Sequence, residues 1–551
     1  MSNSSPFARL SPRSGARRLA TLLPPIGLLV GGLTLSHDAA AGGFEIPDHG
    51  ARAVGRGGAY AVGAKDLTAT YYNPATMAKF RGTRFMLSHN SIHQAMTYTR
   101  APLSAGWVDS GGNSLEGTAF SPVSDRQKWF LLGAFGAISS DFGLENATFF
   151  ASMHGPAASG AHDYRPYASQ SFMLTEMEVL SVYFNAGGAW KYHSKKTDRD
   201  VFGIGASIGY AMLPVMRYGL VTDSSSLTGT DATNFAPIPD PESTQLETTL
   251  VLKDMTGITG NVGFWYRPID ALEIGISGKV IPTIFRPEGT LEVDKETLVT
   301  DEVKASMKKI TMPVNLRGGL RYVHMKGERE LFDIEANVVW ENWSQIKSYD
   351  LTFDGSVAGQ ALLPLSLKKN WKDTVSVRLG GDYNVIEDHL TVRAGGFFET
   401  GAVQEDYAHL DFPSFNRGGV GLGLTAGIPG AEFSVGYSHV FQATQNVSEA
   451  SAKTYQQRPL RPCPEYCTDP GADGMAGTPD DIAINGVPAN AGIFESSYDI
   501  IGVSVDLNFT ALIERRRAKR GQSKPAPETE PGAPDPTSAQ APPSGRARHA
   551  I

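Results

Sequence analysis

The sequence is poor in cysteine, in long apolar segments and in net positive charge. Its 551 residues include only two cysteines, too few ligands for a zinc cluster of the usual kind. The net charge of −8 argues against a nucleic-acid partner. The mean hydropathy of −0.19 excludes a protein built from many membrane-spanning helices. What remains is a large, glycine-rich chain with 60 glycines.

The N-terminus has the features of an export signal. Four arginines precede an apolar run over residues 19–35, and a small-residue cleavage motif follows at 39–41. This order predicts a signal peptide over 1–41, with the mature chain beginning near Gly42. A membrane anchor is the alternative, but the apolar run is short and is interrupted by prolines and glycines.

Alternating apolar and polar residues dominate the rest of the chain. In the segment 501–509, every odd position is apolar and every even position is glycine or polar. Because side chains of a strand point to opposite faces in turn, such a strand has one apolar and one polar face. A soluble β-sandwich could explain one such strand, but many strands on an exported chain favour a transmembrane β-barrel.

We predict an all-β fold, a transmembrane antiparallel β-barrel of about 14 strands over residues 81–509, with residues 42–80 as an irregular N-terminal segment. Short turns and long connections alternate along the chain, as they do in bacterial barrels. The predicted strands are 83–99, 127–138, 143–155, 172–191, 201–216, 248–267, 271–287, 307–324, 329–350, 371–386, 388–402, 415–427, 430–446 and 494–509.

The connection 447–493 and the C-terminus stand apart from this pattern. We expect Cys463 and Cys467 to form a disulfide after export. Closely spaced carboxylates on Gly-rich turns indicate a calcium site as an alternative to a solvated acidic loop, with the candidate ligands Asp469, Asp473, Asp480 and Asp481. The Pro-rich residues 510–551 are predicted to be a disordered periplasmic tail.

Several motifs give the chain a resemblance to the FadL/TodX family of outer-membrane transporters for long-chain fatty acids and other hydrophobic compounds. They include Gly43-Phe44, Asn73-Pro74-Ala75, the hairpin from Asn261 to Ser277 and the run Trp340-Glu341-Asn342-Trp343-Ser344. The resemblance implies that residues 42–80 form a hatch that plugs the barrel lumen. Gly43, Phe44, Asn73, Pro74 and Ala75 would then lie in the hatch and along the substrate path.

The resemblance also implies a kinked third strand that opens a lateral exit through the barrel wall. Here that strand would be near 141–156, with Gly143 as the kink residue. The predicted function is uptake of long-chain fatty acids or other hydrophobic compounds by facilitated diffusion. The chain is expected to be no enzyme and to need no cofactor apart from calcium in the acidic loop.

The expected partners are hydrophobic small molecules, outer-membrane lipid and lipopolysaccharide, and the barrel assembly machinery. A monomer in the outer membrane of a Gram-negative bacterium is the expected state. Three alternatives remain: a general porin, a surface adhesin acting through the acidic loop, and an outer-membrane lipase or esterase. In the last case Ser207, within Gly205-Ala206-Ser207-Ile208-Gly209, would be the nucleophile.

Overall fold

A computed structural model describes residues 48–105, 107, 113–127, 130–155, 161–223, 237–241, 245–294, 302–357, 359–457, 467–469, 482–484 and 487–522. Fourteen antiparallel wall strands form a closed barrel, in which the last strand pairs with the first along their whole length, from Arg84 opposite Asn508 to Arg100 opposite Gly492. The strands are β1 Arg84–Arg100, β2 Phe130–Ser140, β3 Ala147–His154, β4 Glu176–Ser194, β5 Arg199–Asp223, β6 Gln245–Ile269, β7 Leu272–Ile281, β8 Asn315–Lys326, β9 Arg329–Glu341, β10 Thr374–Ile386, β11 Leu390–Glu399, β12 Arg417–Ile428, β13 Ala431–Gln442 and β14 Gly492–Asn508.

Seven short strands extend the wall at the end that carries the long connections. They are Val123–Ser124, Ala161–Asp163, Glu288–Asp294, Val303–Met307, Ser348–Asp354, Leu365–Lys368 and Gln445–Val447. Three two-stranded pairs stand outside the wall: Thr283–Phe285 with Ile310–Met312, Ser356–Val357 with Gln360–Ala361, and Cys467–Asp469 with Ile482–Ile484. Short 3₁₀ helices cover Trp343–Gln345 and Glu405–Tyr407.

The wall turns its apolar face outward. In β14, Ile501, Val503 and Val505 are exposed, whereas Ser504 and Asp506 are buried in the lumen. The same inversion holds in every strand whose alternation is clear in the sequence, including β7, β9 and β10. An apolar exterior around a polar interior is the arrangement that a lipid bilayer requires of a barrel.

All fourteen predicted strands are present, but several reach further than expected. β5 and β6 each contain 25 residues, whereas a strand needs only about 9–11 residues to cross a bilayer. Part of the segment 217–247, expected to be an external connection, is therefore paired sheet. The barrel wall is therefore longer here than a bilayer requires, and β5 and β6 stay paired as far as Asp223 opposite Gln245.

Residues 48–83, which precede β1, lie inside or at the edge of the barrel. They contain the short helices α1 Ala51–Gly55 and α2 Ala69–Tyr72 and a 3₁₀ helix over Pro74–Lys79. Within the described residues, no helix has both the length and the apolar character needed to cross a membrane.

The prediction of a disordered tail beginning at residue 510 is wrong for its first part. Helix α3, Phe509–Gln522, continues directly from the last strand. Its sequence consists largely of alanine, leucine, glutamate, arginine and lysine, which favour helix, and the first proline of the tail comes only at Pro525. Residues 523–551 lie outside the described part of the chain.

Candidate functional site

Residues 48–80 fill the lumen near the end that carries the short turns. Every residue of this segment is buried except Lys65, Tyr71 and Lys79, which are half-buried. We call this segment the hatch segment. Since it is short and contains little regular structure, its position depends on contacts with the surrounding wall.

Asn73 makes hydrogen bonds both within the hatch segment and to the barrel wall. Its side-chain Nδ2 donates to the carbonyl oxygens of Ala61, at 3.0 Å, and of Phe264 in β6, at 3.2 Å. Its Oδ1 accepts from the backbone N–H of Ala75 at 3.1 Å and caps the 3₁₀ helix, which begins with Pro74. The predicted motif Asn73-Pro74-Ala75 thus forms a rigid corner held against the barrel.

Glycines of the wall make room for this corner. A Cβ atom on Gly263 of β6 would lie 2.0 Å from Asn73 Oδ1, and one on Gly205 of β5 would lie 2.6 Å from Pro74. Two residues after Gly263 on β6, Trp265 donates its ring N–H to the carbonyl oxygen of Ala75 at 3.0 Å. Glycine at these two positions is therefore explained by the close approach of the hatch segment.

Arg56 is the centre of a buried ion network between the hatch segment and the wall. Its guanidinium lies 2.7 Å from Asp333 and 3.3 Å from Glu335 of β9, and 3.0 Å from Asp382 of β10. Glu335 also accepts the backbone N–H of Gly63 at 2.8 Å. Burial alone would lower the pKa of Arg56, but these carboxylates outweigh it and hold the pKa above its ordinary value.

Further ion pairs repeat this connection around the lumen. Asp48 of the hatch segment pairs with Arg378 of β10 at 2.7 Å, and Lys79 pairs with Glu273 of β7 at 3.1 Å. Arg52 pairs with Glu432 of β13 at 2.5 Å. Pairs that are largely buried fix geometry, because removing either partner leaves an uncompensated charge.

A second, apolar region lies at the opposite end of the lumen. Buried aromatic and aliphatic side chains from the wall and the long connections form one continuous cluster there, including Phe172, Tyr218, Trp343, Trp371 and Phe494. A cavity of about 80 Å³ adjoins this cluster, with Leu220, Leu367 and the buried pair Lys369–Asp411 nearby. The lumen therefore contains an apolar region on one side of the hatch segment.

The third strand is interrupted. His154 at the end of β3 pairs with Tyr183 of β4, and pairing with β4 resumes at Ala161 opposite Glu178. Six residues separate the two paired positions on the third strand, but only four separate them on β4. The third strand therefore has two extra residues at the point where its ladder with β4 is interrupted. On its other edge, β3 pairs with β2 only as far as His154 opposite Phe135.

Aromatic and basic side chains surround this interruption. The ring of His154 stacks on Tyr183 and lies 4.9 Å from the ring of His49 in the hatch segment. The guanidinium of Arg317 in β8 lies 4.7 Å from the ring of Tyr71. Burial lowers the pKa of His49, and the nearby His154 and Arg317 lower it further.

Arg317 has no carboxylate partner within ion-pair distance among the described residues. Its Nη1 donates to the carbonyl oxygen of Tyr71 at 3.4 Å, whereas its buried Nη2 makes no hydrogen bond. A buried guanidinium with an unused donor is able to bind an anionic group.

The prediction that Gly143 kinks the third strand is wrong. Gly143 lies before β3, in the turn that joins β2 to β3, and its φ of +80° is the left-handed conformation that such a turn favours. The break in the third strand comes instead after His154. Pro156 in that stretch lacks the N–H that a ladder requires, and this is the signal that the sequence contained.

Ser207 lies within β5, opposite Asn261 of β6. Asn261 Nδ2 donates to its hydroxyl at 3.4 Å. A nucleophile elbow places its serine at a sharp turn between a strand and a helix. Ser207 instead lies within a paired strand of the barrel wall, so its surroundings differ from those of a nucleophile elbow.

The remaining site predictions are only partly covered by the structure. Gly43, Phe44, Cys463, Asp473, Asp480 and Asp481 lie outside the described residues. Cys467 and Asp469 lie in the short strand Cys467–Asp469. No group of three or more metal-ligating side chains occurs among the described residues. The disulfide and the calcium site stay predictions.

Sequence reasoning missed Arg56, His49, His154 and Arg317 as site residues. Arg56 stands within the run Gly55–Gly58, and an arginine among glycines was the available signal. No comparable pattern surrounds His154 or Arg317, because their partners are distant in the chain.

The structure thus combines a fourteen-stranded barrel that is apolar outside, a buried N-terminal segment within it and an apolar cluster toward the other end. The model of the family described as "Outer membrane protein transport protein (OMPP1/FadL/TodX)" matches residues 32–462. The chain therefore belongs to the OMPP1/FadL/TodX family. No curated protein matches its sequence.

Solved structures share the fold at low identity. A FadL homologue of Pseudomonas aeruginosa superposes with a TM-score of 0.63 at 16% identity, covering 85% of this chain and 100% of that one. The toluene transporter TbuX of Ralstonia pickettii gives 0.54 at 14% identity, covering 84% and 99%. The toluene transporter TodX of Pseudomonas putida gives 0.54 at 14% identity, covering 85% and 99%.

Proposed function

We propose that this protein carries long-chain fatty acids or related hydrophobic compounds across the outer membrane of a Gram-negative bacterium by facilitated diffusion. The observation that carries the proposal is the order in which apolar and polar regions follow one another along the lumen. An apolar region is followed by a buried hatch segment, and a break in the wall lies beside that segment.

The hatch segment is proposed to act as a plug. Its ion pairs and close backbone contacts with the wall disfavour a continuous water-filled bore. A general porin needs such a bore, so the porin alternative is disfavoured. The transported compound, called the passenger below, would leave through the barrel wall at the interruption of the third strand and would not pass through the hatch segment.

Hydrophobic transfer supplies the binding energy for this route. Each CH₂ group moved from water into an apolar site gains about 0.8 kcal/mol, so a long acyl chain binds the apolar region well. No energy source is required if the compound is consumed inside the cell.

The basic and aromatic surroundings of the break support an anionic passenger. Arg317 offers an unused donor close to Tyr71 and His49, at the level where the passenger would turn toward the wall. A carboxylate would pair with this guanidinium while its chain stays among apolar side chains. This favours long-chain fatty acids over neutral aromatic hydrocarbons.

The test is uptake of labelled oleate and labelled toluene by a deletion strain, with and without this chain. We expect the chain to restore oleate uptake and to have a smaller effect on toluene. A strain whose uptake of both compounds is unchanged by the chain would contradict the proposal.

An esterase alternative is tested in parallel by the Ser207→Ala variant. We expect the purified protein to leave an acyl ester intact. Hydrolysis that depends on Ser207 would replace transport with catalysis as the function.

A further inference from the structure

Helix α3 is a basic segment on an acidic protein. Over Phe509–Gln522 the sequence contains five cationic residues and one acidic residue, whereas the whole chain carries a net charge of −8. The helix has 14 residues and follows β14 without a linker. Its charge is therefore concentrated at one place on the rim of the barrel.

The first turn of α3 is fixed to that rim. The backbone N–H of Phe509 donates to the carbonyl oxygen of Thr83 at 2.9 Å, and the N–H of Thr83 donates to the hydroxyl of Thr510 at 3.1 Å. The N–H of Asn508 donates to the carbonyl oxygen of Gly430 at 2.8 Å. The helix thus begins where the lipid-facing wall ends, at the end that carries the short turns.

Exposed apolar and basic side chains share one side of the helix. Phe509 and Ile513 are 41% and 52% exposed, and they are four residues apart, which places them on the same face. Arg516 and Arg517 follow one turn later near that face and are also exposed. Apolar residues beside arginines are typical of helices at the boundary between acyl chains and headgroups.

Three arginines of this helix form no ion pairs with carboxylates in the part of the chain that the structure describes. Among the described residues, no ion pair within 4.0 Å involves Arg515, Arg516 or Arg517. Acidic residues such as Asp270 and Glu328 occur in other turns of the same rim. The cationic groups thus remain available to an external anion.

We infer that α3 is a docking helix for the anionic phospholipid headgroups of the inner leaflet, with phosphatidylglycerol as the simplest representative. The phosphates pair with the arginines, and Phe509 and Ile513 enter the acyl boundary. Lipid is favoured over a periplasmic polymer because the helix is anchored at the membrane end of the wall and its exposed face is partly apolar. The inference is independent of the transported compound.

The test is hydrogen exchange over residues 509–522 of the full chain. It is measured in nanodiscs of phosphatidylcholine alone and in nanodiscs that also contain phosphatidylglycerol. We expect slower exchange of the helix when phosphatidylglycerol is present, because an arginine near an anionic surface contributes about a fivefold change in binding. The variant carrying Arg516→Gln and Arg517→Gln should lose most of this protection.

The matched control removes two other cations from the same rim. Lys195 and Lys196 are exposed in the turn between β4 and β5, so K195Q together with K196Q changes the net charge equally. We expect this control to keep the protection of α3. Equal exchange in both lipid compositions, an equal loss in the control, or protection that requires added peptidoglycan fragments would overturn the inference.

Discussion

At the scale of single residues, the hatch segment is held by charges that are mostly buried. Arg56 faces three carboxylates on two wall strands, and Asp48 and Arg52 make comparable pairs elsewhere around the lumen. Such pairs add little net stability compared with apolar packing, but breaking one is costly. Their role is to fix the position of a segment that contains little regular structure.

Replacing Arg56 by methionine should loosen the hatch segment while leaving the barrel intact. Asp333, Glu335 and Asp382 would lose their shared partner, at a cost of about 3–5 kcal/mol. We expect cells producing R56M to become sensitive to a large polar antibiotic. Arg81→Met, at an exposed arginine, is the control, and unchanged sensitivity of R56M would count against the role of the network.

The buried His49 predicts a dependence of hatch docking on pH. Because the pKa of His49 is lowered in the folded protein, the displaced segment binds a proton more readily than the docked one. Docking is therefore fully stable above about pH 6.5 and weakens as the pH falls from there toward the lowered pKa. Hydrogen exchange of residues 48–80, corrected for intrinsic rates, should rise at pH 5.5 relative to pH 7.5, and H49Q should reduce this difference.

Arg317 is expected to discriminate between passengers. Removing one charge-assisted hydrogen bond costs about 1.5–3 kcal/mol, so R317M should lower oleate uptake about tenfold or more. Toluene has no anionic group and should be affected much less. An equal loss for both compounds would show that Arg317 acts only on folding, and Arg199→Met at the rim serves as the control.

At the scale of elements, the break in the third strand is a register defect with a defined size. Because two extra residues separate His154 from Ala161, deleting Ala157 and Ala158 would restore the register with β4. We expect this deletion to reduce uptake while the yield of heat-modifiable barrel stays normal. Deleting Ser224 and Ser225 from the connection between β5 and β6 is the control.

Uptake that survives the repaired register would place the exit elsewhere. If the double deletion prevents folding and the control deletion does not, uptake is measured instead in variants that lack only Ala157 or only Ala158.

The strands were predictable because a barrel in lipid has only two environments. Alternation in segments such as Ile501–Phe509 reports lipid on one side and lumen on the other, and all fourteen strands were found from it. The position of the kink was not predictable from Gly143, since glycine fits a turn as well as a strand. The start of α3 was missed because the Pro-rich composition of the distal tail was extended to residues that favour helix.

At the scale of the whole molecule, the protein is inverted relative to a soluble one. Its buried residues include many charged side chains, and many of its large apolar side chains are exposed. The family's fold could be expected from the order of weak motifs, of which Asn73-Pro74-Ala75 was the most informative for the site. The contacts of Arg56 with Asp333 and of Arg317 with Tyr71 could not be predicted from the sequence. Closure of the barrel brings together residues that are more than two hundred positions apart in the chain.

Single-channel conductance of the purified chain in planar bilayers tests the central claim most directly. A barrel sealed by the hatch segment should show little or no conductance, and deletion of residues 48–80 should produce large, stable openings. Large openings of the intact chain, unchanged by that deletion, would contradict a sealed lumen.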